Sequence, residues 1–164
     1  MTPEVETEKV RKQRDRAFPW PCANCLRDEV YPVTMPYTTE IKHDGLTYSL
    51  AIPVLTIPKC RACGELVFSN SVDDQIVRAL RTQARLLTPQ QIREGRDALG
   101  LRSKAFAERL GVANEALAEW ETGMMIQSRA MDNLLRAYFA LPELRTFLEK
   151  ANQEAAPSTP TLGG

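Results

Sequence analysis

Two cysteine pairs, Cys22-Ala-Asn-Cys25 and Cys60-Arg-Ala-Cys63, use all four cysteines of the chain and stand thirty-four residues apart. A Cys-x-x-Cys turn is short enough for both thiolates to reach one ion while backbone N–H groups point at the sulfurs. Four soft sulfur ligands suit tetrahedral zinc. Two such turns close the coordination sphere, so the spacing predicts a structural rather than a catalytic metal, whose binding energy is folding energy for a small domain. The spacer is longer than that of a compact zinc finger and must hold structure of its own.

Other uses of the cysteines fit less well. Two disulfides need an oxidising compartment, yet Met1-Thr2-Pro3-Glu4-Val5-Glu6 is acidic and has no apolar signal-peptide core. A thioredoxin-like motif belongs at a helix start within a βαβ pattern, and neither pair has that context. Iron accepts the same tetrahedral sulfur set, but nothing else in the chain suggests electron transfer.

With 164 residues, 43% of them hydrophobic, the chain makes one ordinary domain or two small ones, and the cysteine block followed by a helical pattern favours two. No stretch approaches eighteen apolar residues, and reduced thiols imply a cytoplasmic protein. Lys and Arg equal Asp and Glu at 21 each, so any nucleic-acid contact must come from local clustering. With one histidine, no cysteine left after metal binding and no phosphate-cradling glycine loop, the composition argues against an enzyme.

Residues 1–17 alternate Glu with Lys and Arg and read as a charged arm, solvated or disordered, with Lys9, Arg11, Lys12, Arg14 and Arg16 as possible phosphate contacts. Phe18-Pro19-Trp20-Pro21 then leads into the first metal turn. Tyr37–Lys42 and Leu46–Ile52 are rich in β-branched and aromatic residues, with His43-Asp44-Gly45 between them, which predicts a β-hairpin. A separate extended piece, Val54–Ile57, returns the chain to Cys60, with Pro53 and Pro58 limiting its pairing. His43 reads as a solvated turn residue.

Ser71 is expected to cap a helix running to about Leu86, with Asp73 and Asp74 in its first turn and Ile76, Leu80, Val77 and Ala84 on its apolar side. Arg78, Arg81 and Arg85 then fall on a basic stripe, read as a solvated face or a contact to phosphate or an acidic partner. Thr88-Pro89-Gln90-Gln91 is a strong helix start, and Gly100 ends that helix. A short helix over about 103–110 buries Phe106, Ala107 and Leu110. Gly111 permits a left-handed turn, Val112 plugs the gap, and a helix over about 114–122 buries Leu117 and Trp120 before Gly123. Helix, glycine turn, helix is the helix-turn-helix pattern, whose second member enters the major groove. Helices near Arg129–Ala140 and Pro142–Asn152 are expected to add Leu134, Leu135, Tyr138, Leu144, Phe147 and Leu148 to the core. Ala155-Ala156-Pro157-Ser158-Thr159-Pro160 reads as a loose tail.

This order of parts resembles the MqsA antitoxins, also called YgiT-type, over roughly residues 20–150. The likeness rests on Cys22, Cys25, Cys60, Cys63 and Gly64, on Leu87-Thr88-Pro89 with Ile92 and Arg96, and on Leu99-Gly100-Leu101. It continues through Phe106-Ala107, Leu110-Gly111-Val112, Trp120-Glu121, Gly123 and Leu141-Pro142-Glu143-Leu144. The resemblance implies an α+β chain of two domains: a small β-hairpin zinc domain with four cysteine ligands over 18–70, a connecting helix over 71–87, and an all-α five-helix XRE-type helix-turn-helix domain over 88–152. A charged arm (1–17) and a disordered tail (153–164) flank them. It further implies that the zinc domain binds a partner protein, commonly an RNA-cleaving toxin, and that the helical domain dimerises on palindromic operator DNA.

On that reading Arg102, Ser103, Lys104, Arg109, Asn114 and Arg129 are the DNA-contacting candidates. The recognition positions, however, carry Glu115 and Glu119, which oppose a polyanion, and the next loop is Met124-Met125-Ile126 rather than basic. Residues 88–150 hold nine basic and nine acidic side chains. A second expectation therefore stands beside the first: a protein-interaction module that grips its partner with Glu115, Glu119, Met124, Met125 and Ile126 on a helix-turn-helix scaffold.

Overall fold

The computed structural model describes residues 16–156. Most of the expected charged arm (1–15) and the end of the tail (157–164) lie outside the described residues. The fold is α+β: a two-stranded antiparallel hairpin, β1 (Val30–His43) and β2 (Leu46–Cys60), followed by six helices. These are α1 (Asn70–Ala84), α2 (Pro89–Ala98), α3 (Ser103–Leu110), α4 (Asn114–Thr122), α5 (Arg129–Ala140) and α6 (Pro142–Ala155). Six helices, not five, thus follow the hairpin, because α1 precedes the five that begin at Pro89. No helix among the described residues is long and apolar enough to cross a membrane. The described residues divide into two compact units, one holding those up to Ile41 and Thr47–Leu80, the other Lys42–Leu46 and those from Arg81 onward.

In the first unit β2 is a single strand, where a break near Pro53 was expected. The proline positions explain why it survives. The Val30 N–H donates to Trp20 O, away from β2, so the nitrogens two and six residues on, at Pro32 and Pro36, also face the open edge. The Thr56 N–H likewise points away from β1, into Gln75 Oε1 at 2.9 Å, and Pro58 shares its orientation. None of these three prolines therefore removes a bond between the strands. At Pro53-Val54 the buried positions change phase, from Leu50 and Ile52 to Leu55 and Ile57. β2 has 15 residues against 14 in β1, as one extra residue in a bulge requires. The turn holds Asp44 at φ 54° and Gly45 at φ 76°, the two left-handed residues of a type I′ turn.

α1 starts at Asn70, one residue before the expected cap, because Ser69 O accepts the N–H groups of Val72 and Asp73. Val72, Ile76 and Leu80 are buried. Gln75 stands in for a neighbouring strand: besides accepting from Thr56 N, its Nε2 donates to Thr56 O at 2.8 Å. The helix ends at Ala84, short of Leu86, with Arg85 left-handed at φ 52° and Leu86 N–H donating to Arg81 O. That turn drives Leu86 and Leu87 inward. The expected basic stripe does not form, since Arg81 is buried and donates through Nη2 to Met125 O.

The second unit follows its local signals closely. Thr88 Oγ1 accepts from Gln91 N while Gln91 Oε1 accepts from Thr88 N, a full capping box with Pro89 at the first helical position. Its core joins Leu87, Ile92, Phe106, Ala107, Leu110, Leu117, Trp120, Leu135 and Tyr138. Gly111 is left-handed at φ 74° between α3 and α4, and Val112 packs against the core beside it.

Three expectations fail in this unit. Phe147 is 66% exposed rather than buried, because Leu144 and Leu148 share the inward face of α6 and Phe147 sits about 100° round the helix from Leu148. α6 also runs to Ala155, past the expected limit at Asn152. Asn152 Nδ2 donates to the C=O groups of Glu108 and Arg109, tying this helix to the last turn of α3. His43, expected in solvent, is half-buried with Nε2 3.2 Å from Gln127 O, and Asp44 Oδ2 accepts from Arg129 N at the start of α5.

Candidate metal centre

The four cysteines meet at one point of the first unit, each sulfur within 4.8 Å of the others. Cys22 Sγ lies 3.6 Å from Cys63 Sγ, and Cys25 Sγ lies 3.6 Å from Cys60 Sγ. A disulfide would bring the sulfurs to about 2.05 Å, whereas four bonds of about 2.3 Å to a tetrahedral ion set them about 3.8 Å apart. The donor set fits a metal ion, and Cys22, Cys25, Cys60 and Cys63 would hold it.

The two turns have the same construction. Leu26 N–H donates to Cys22 O and Gly64 N–H to Cys60 O, both at 2.9 Å; Cys22 N–H donates to Arg27 O and Cys60 N–H to Glu65 O, both at 2.8 Å. The residue after the second cysteine is left-handed in each, Leu26 at φ 61° and Gly64 at φ 82°. Glycine adopts that conformation freely, while leucine does so at a cost of about 1–2 kcal/mol. Backbone N–H groups of Arg27 and Glu65 then reach Cys25 and Cys63.

These turns place the thiols in unequal surroundings. The Glu65 N–H, aided by the Asn24 amide and the thiols of Cys22 and Cys60, overcomes burial and brings Cys63 down to about 7. At Cys25 the Arg27 N–H pulls downward, but burial and proton sharing with Cys60, Cys63 and Cys22 push it up to about 11. A metal ion would displace the shared protons. Trp20, Cys22, Val30 and Cys60 form a buried cluster, with Val67 packed on it and Phe18 stacked on Trp20 at 4.4 Å. The apolar backing is thus built from the segment before the first turn and from the base of the hairpin.

The second candidate surface lies on α3 and α4. Ser103 Oγ is 3.4 Å from Asn114 Oδ1, which brings the N-termini of both helices together. Neither helix has a side-chain cap at its N-cap residue, Arg102 or Ala113, whereas α2 and α5 are capped by Thr88 and Ser128. Arg102, Lys104 and Arg109 are exposed. Arg129 is not available with them: its guanidinium donates to Ala84 O and meets Asp132 Oδ2 at 3.4 Å. Glu115 and Glu119 are exposed along α4, Met124 and Met125 are exposed beyond it, and Ile126 is half-buried.

Sequence reasoning missed the buried polar groups. Asp132 is fully buried and accepts from Leu87 N, Gln127 Nε2 and Arg136 Nε. Glu121 is buried against Arg96 at 2.6 Å. The available signal was a charged residue at an otherwise apolar helical position: Asp132 lies i, i+3 from Leu135, and Glu121 lies i, i+4 from Leu117. No protein-family model matches the chain, and none of the curated proteins matches it.

Proposed function

We propose that this chain is an antitoxin-like transcriptional regulator. It holds zinc in a structural four-thiolate site, binds operator DNA as a dimer through a helix-turn-helix formed by α3 and α4, and engages a partner protein, a toxin on the family resemblance, through its metal-bearing unit. Zinc is favoured because four thiolates in a closed tetrahedral arrangement match its preference for sulfur. The reading places the protein in the cytoplasm, where thiols stay reduced, and includes no catalytic step.

The observation that carries the DNA reading is the pair of uncapped helix N-termini joined at Ser103 and Asn114. Free N–H groups at a helix start, with the positive end of its dipole, favour phosphate, and Arg102 and Lys104 stand at the same end of α3. Asn114 carries the amide suited to a base edge. A gel shift on the protein's own promoter, at several salt concentrations, tests this. Specific binding should weaken steeply with salt, and Arg102→Ala should weaken it on every sequence while lowering the salt slope by about one. No complex at low salt, from a folded dimer with its metal, would reject it.

A second reading has its own support. Glu115 and Glu119, one turn apart and exposed, together with exposed Met124 and Met125, make an acidic and apolar surface that suits a basic partner protein better than DNA. Charge reversal decides between the two. Glu115→Lys with Glu119→Lys should strengthen a DNA complex and weaken a protein complex.

A further inference from the structure

We infer that Cys63 is an oxidation site, at which a hydroperoxide joins Cys63 to Cys22 across the two turns and expels the metal ion. The inference rests on the four-thiolate metal reading above. The four sulfurs are not equally accessible. Cys63 is exposed, Cys25 half-buried, and Cys22 and Cys60 buried, so an oxidant from solvent meets Cys63 first. A sulfur of the opposite turn stands within reach of it: Cys22 Sγ lies 3.6 Å away. Asn24 is the side chain that attends this sulfur, with Nδ2 at 3.6 Å.

The chemistry balances with one peroxide. The Cys63 thiolate attacks a peroxide oxygen, the O–O bond breaks, and hydroxide leaves from a sulfenic acid on Cys63. The Cys22 thiolate then attacks the Cys63 sulfur, the S–O bond breaks, and a second hydroxide leaves from the disulfide. Two thiolates have lost two electrons and one peroxide has gained them. Only Cys25 and Cys60 would then remain as ligands, too few to hold the ion, which would be released with its oxidation state unchanged. The new bond closes a loop around the whole hairpin, so both turns remain joined after the metal leaves, and an added dithiol regenerates the ligands.

The full-length chain loaded with zinc, its metal content measured beforehand, is treated with one equivalent of hydrogen peroxide. A chromogenic chelator follows metal release, and alkylation, digestion and mass spectrometry map the cross-links. One ion released per chain with Cys22–Cys63 as the first cross-link is the expected result. A chain that never loads metal overturns the metal reading itself. A chain that loads metal but forms Cys60–Cys63, Cys22–Cys25 or any other pair first, or keeps its ion under excess peroxide, overturns only the oxidation site. Asn24→Ala keeps all four ligands and removes the donor beside Cys63. It should speed release severalfold toward the same cross-link, and an unchanged rate would reject Cys63 as the point of attack.

Discussion

Arg96 and Glu121 form an ion pair, Nε to Oε1 at 2.6 Å, that ties the last turn of α2 to the last turn of α4. The same arginine donates through Nη1 to Leu101 O, and Arg93 donates to Glu121 O. The pair therefore fixes how the chain leaves both helices. Glu121→Ala leaves a largely buried guanidinium with a lost partner and should lower the stability of the helical unit by about 2–3 kcal/mol. Urea denaturation followed by far-UV circular dichroism measures it, and a change under about 0.5 kcal/mol, the level of an ordinary surface substitution, would remove the pair from the account.

Asp132 gives the helical unit an acid-sensitive step. Burial raises its pKa, but Arg136, the Leu87 N–H and the Gln127 amide outweigh that and hold the carboxyl below its usual range. A carboxylate with a depressed folded-state pKa adds stability that is complete above its unfolded value, about 3.9, and disappears as the pH falls through the folded value. Wild-type stability should therefore decline below about pH 4. Asp132→Asn should be less stable at pH 7 and show a shallower decline. Denaturant midpoints at pH 7, 4 and 3 check both, and parallel curves for the two proteins would contradict the assignment.

Gly95 sits inside α2 where a Cβ would lie 2.6 Å from the ring of Phe139. Phe139 is itself stacked on Phe106 at 5.7 Å, so the ring has little freedom to retreat. Gly95→Ala gains helix propensity of up to about 1 kcal/mol and loses more to overpacking. The net expectation is a destabilisation of about 1–2 kcal/mol, read as a lower thermal midpoint; a higher midpoint would show that Phe139 can move.

Metal removal should disturb the two units unequally. The chain has two tryptophans: Trp20 packs with Cys22 and Cys60, and Trp120 lies in the helical core. In a Trp120→Phe variant, a chelator should shift Trp20 emission toward that of exposed indole while most helical circular dichroism persists. Loss of the helical signal together with the Trp20 signal would show that the helices depend on the metal-bearing unit.

Local signals carried much of this architecture. The Asp44-Gly45 turn, the capping box at Thr88, the left-handed glycines at 64, 100, 111 and 123, and the apolar faces of α2 to α4 are all codes that act within a few residues. The four-cysteine cluster was legible because thiol chemistry leaves two such cysteine pairs few other uses. Phe147 and Arg81 were misplaced for one common reason. Periodicity says which side chains share a helix face, while the neighbouring elements decide whether that face is covered. The unbroken β2 was missed because proline is judged locally, and its tolerance here depends on which way each nitrogen faces in a two-stranded sheet.

The helices and their order, the capping box at Thr88, the glycine turns and the grouping of four cysteines that could hold a metal ion were determined by the sequence alone, since each depends on residues close in the chain or on a single reactive chemistry. Only the tertiary structure decided that Arg129 turns toward Ala84 and Asp132, that Arg81 is buried, that Asp132 and Glu121 hold their partners, and that Cys63 alone of the four cysteines is exposed. Arg129 with Ala84, Asp132 with the Leu87 N–H and Glu121 with Arg96 are joined across twenty-five or more positions, and the remaining outcomes depend on what covers a surface; no short-range pattern encodes either.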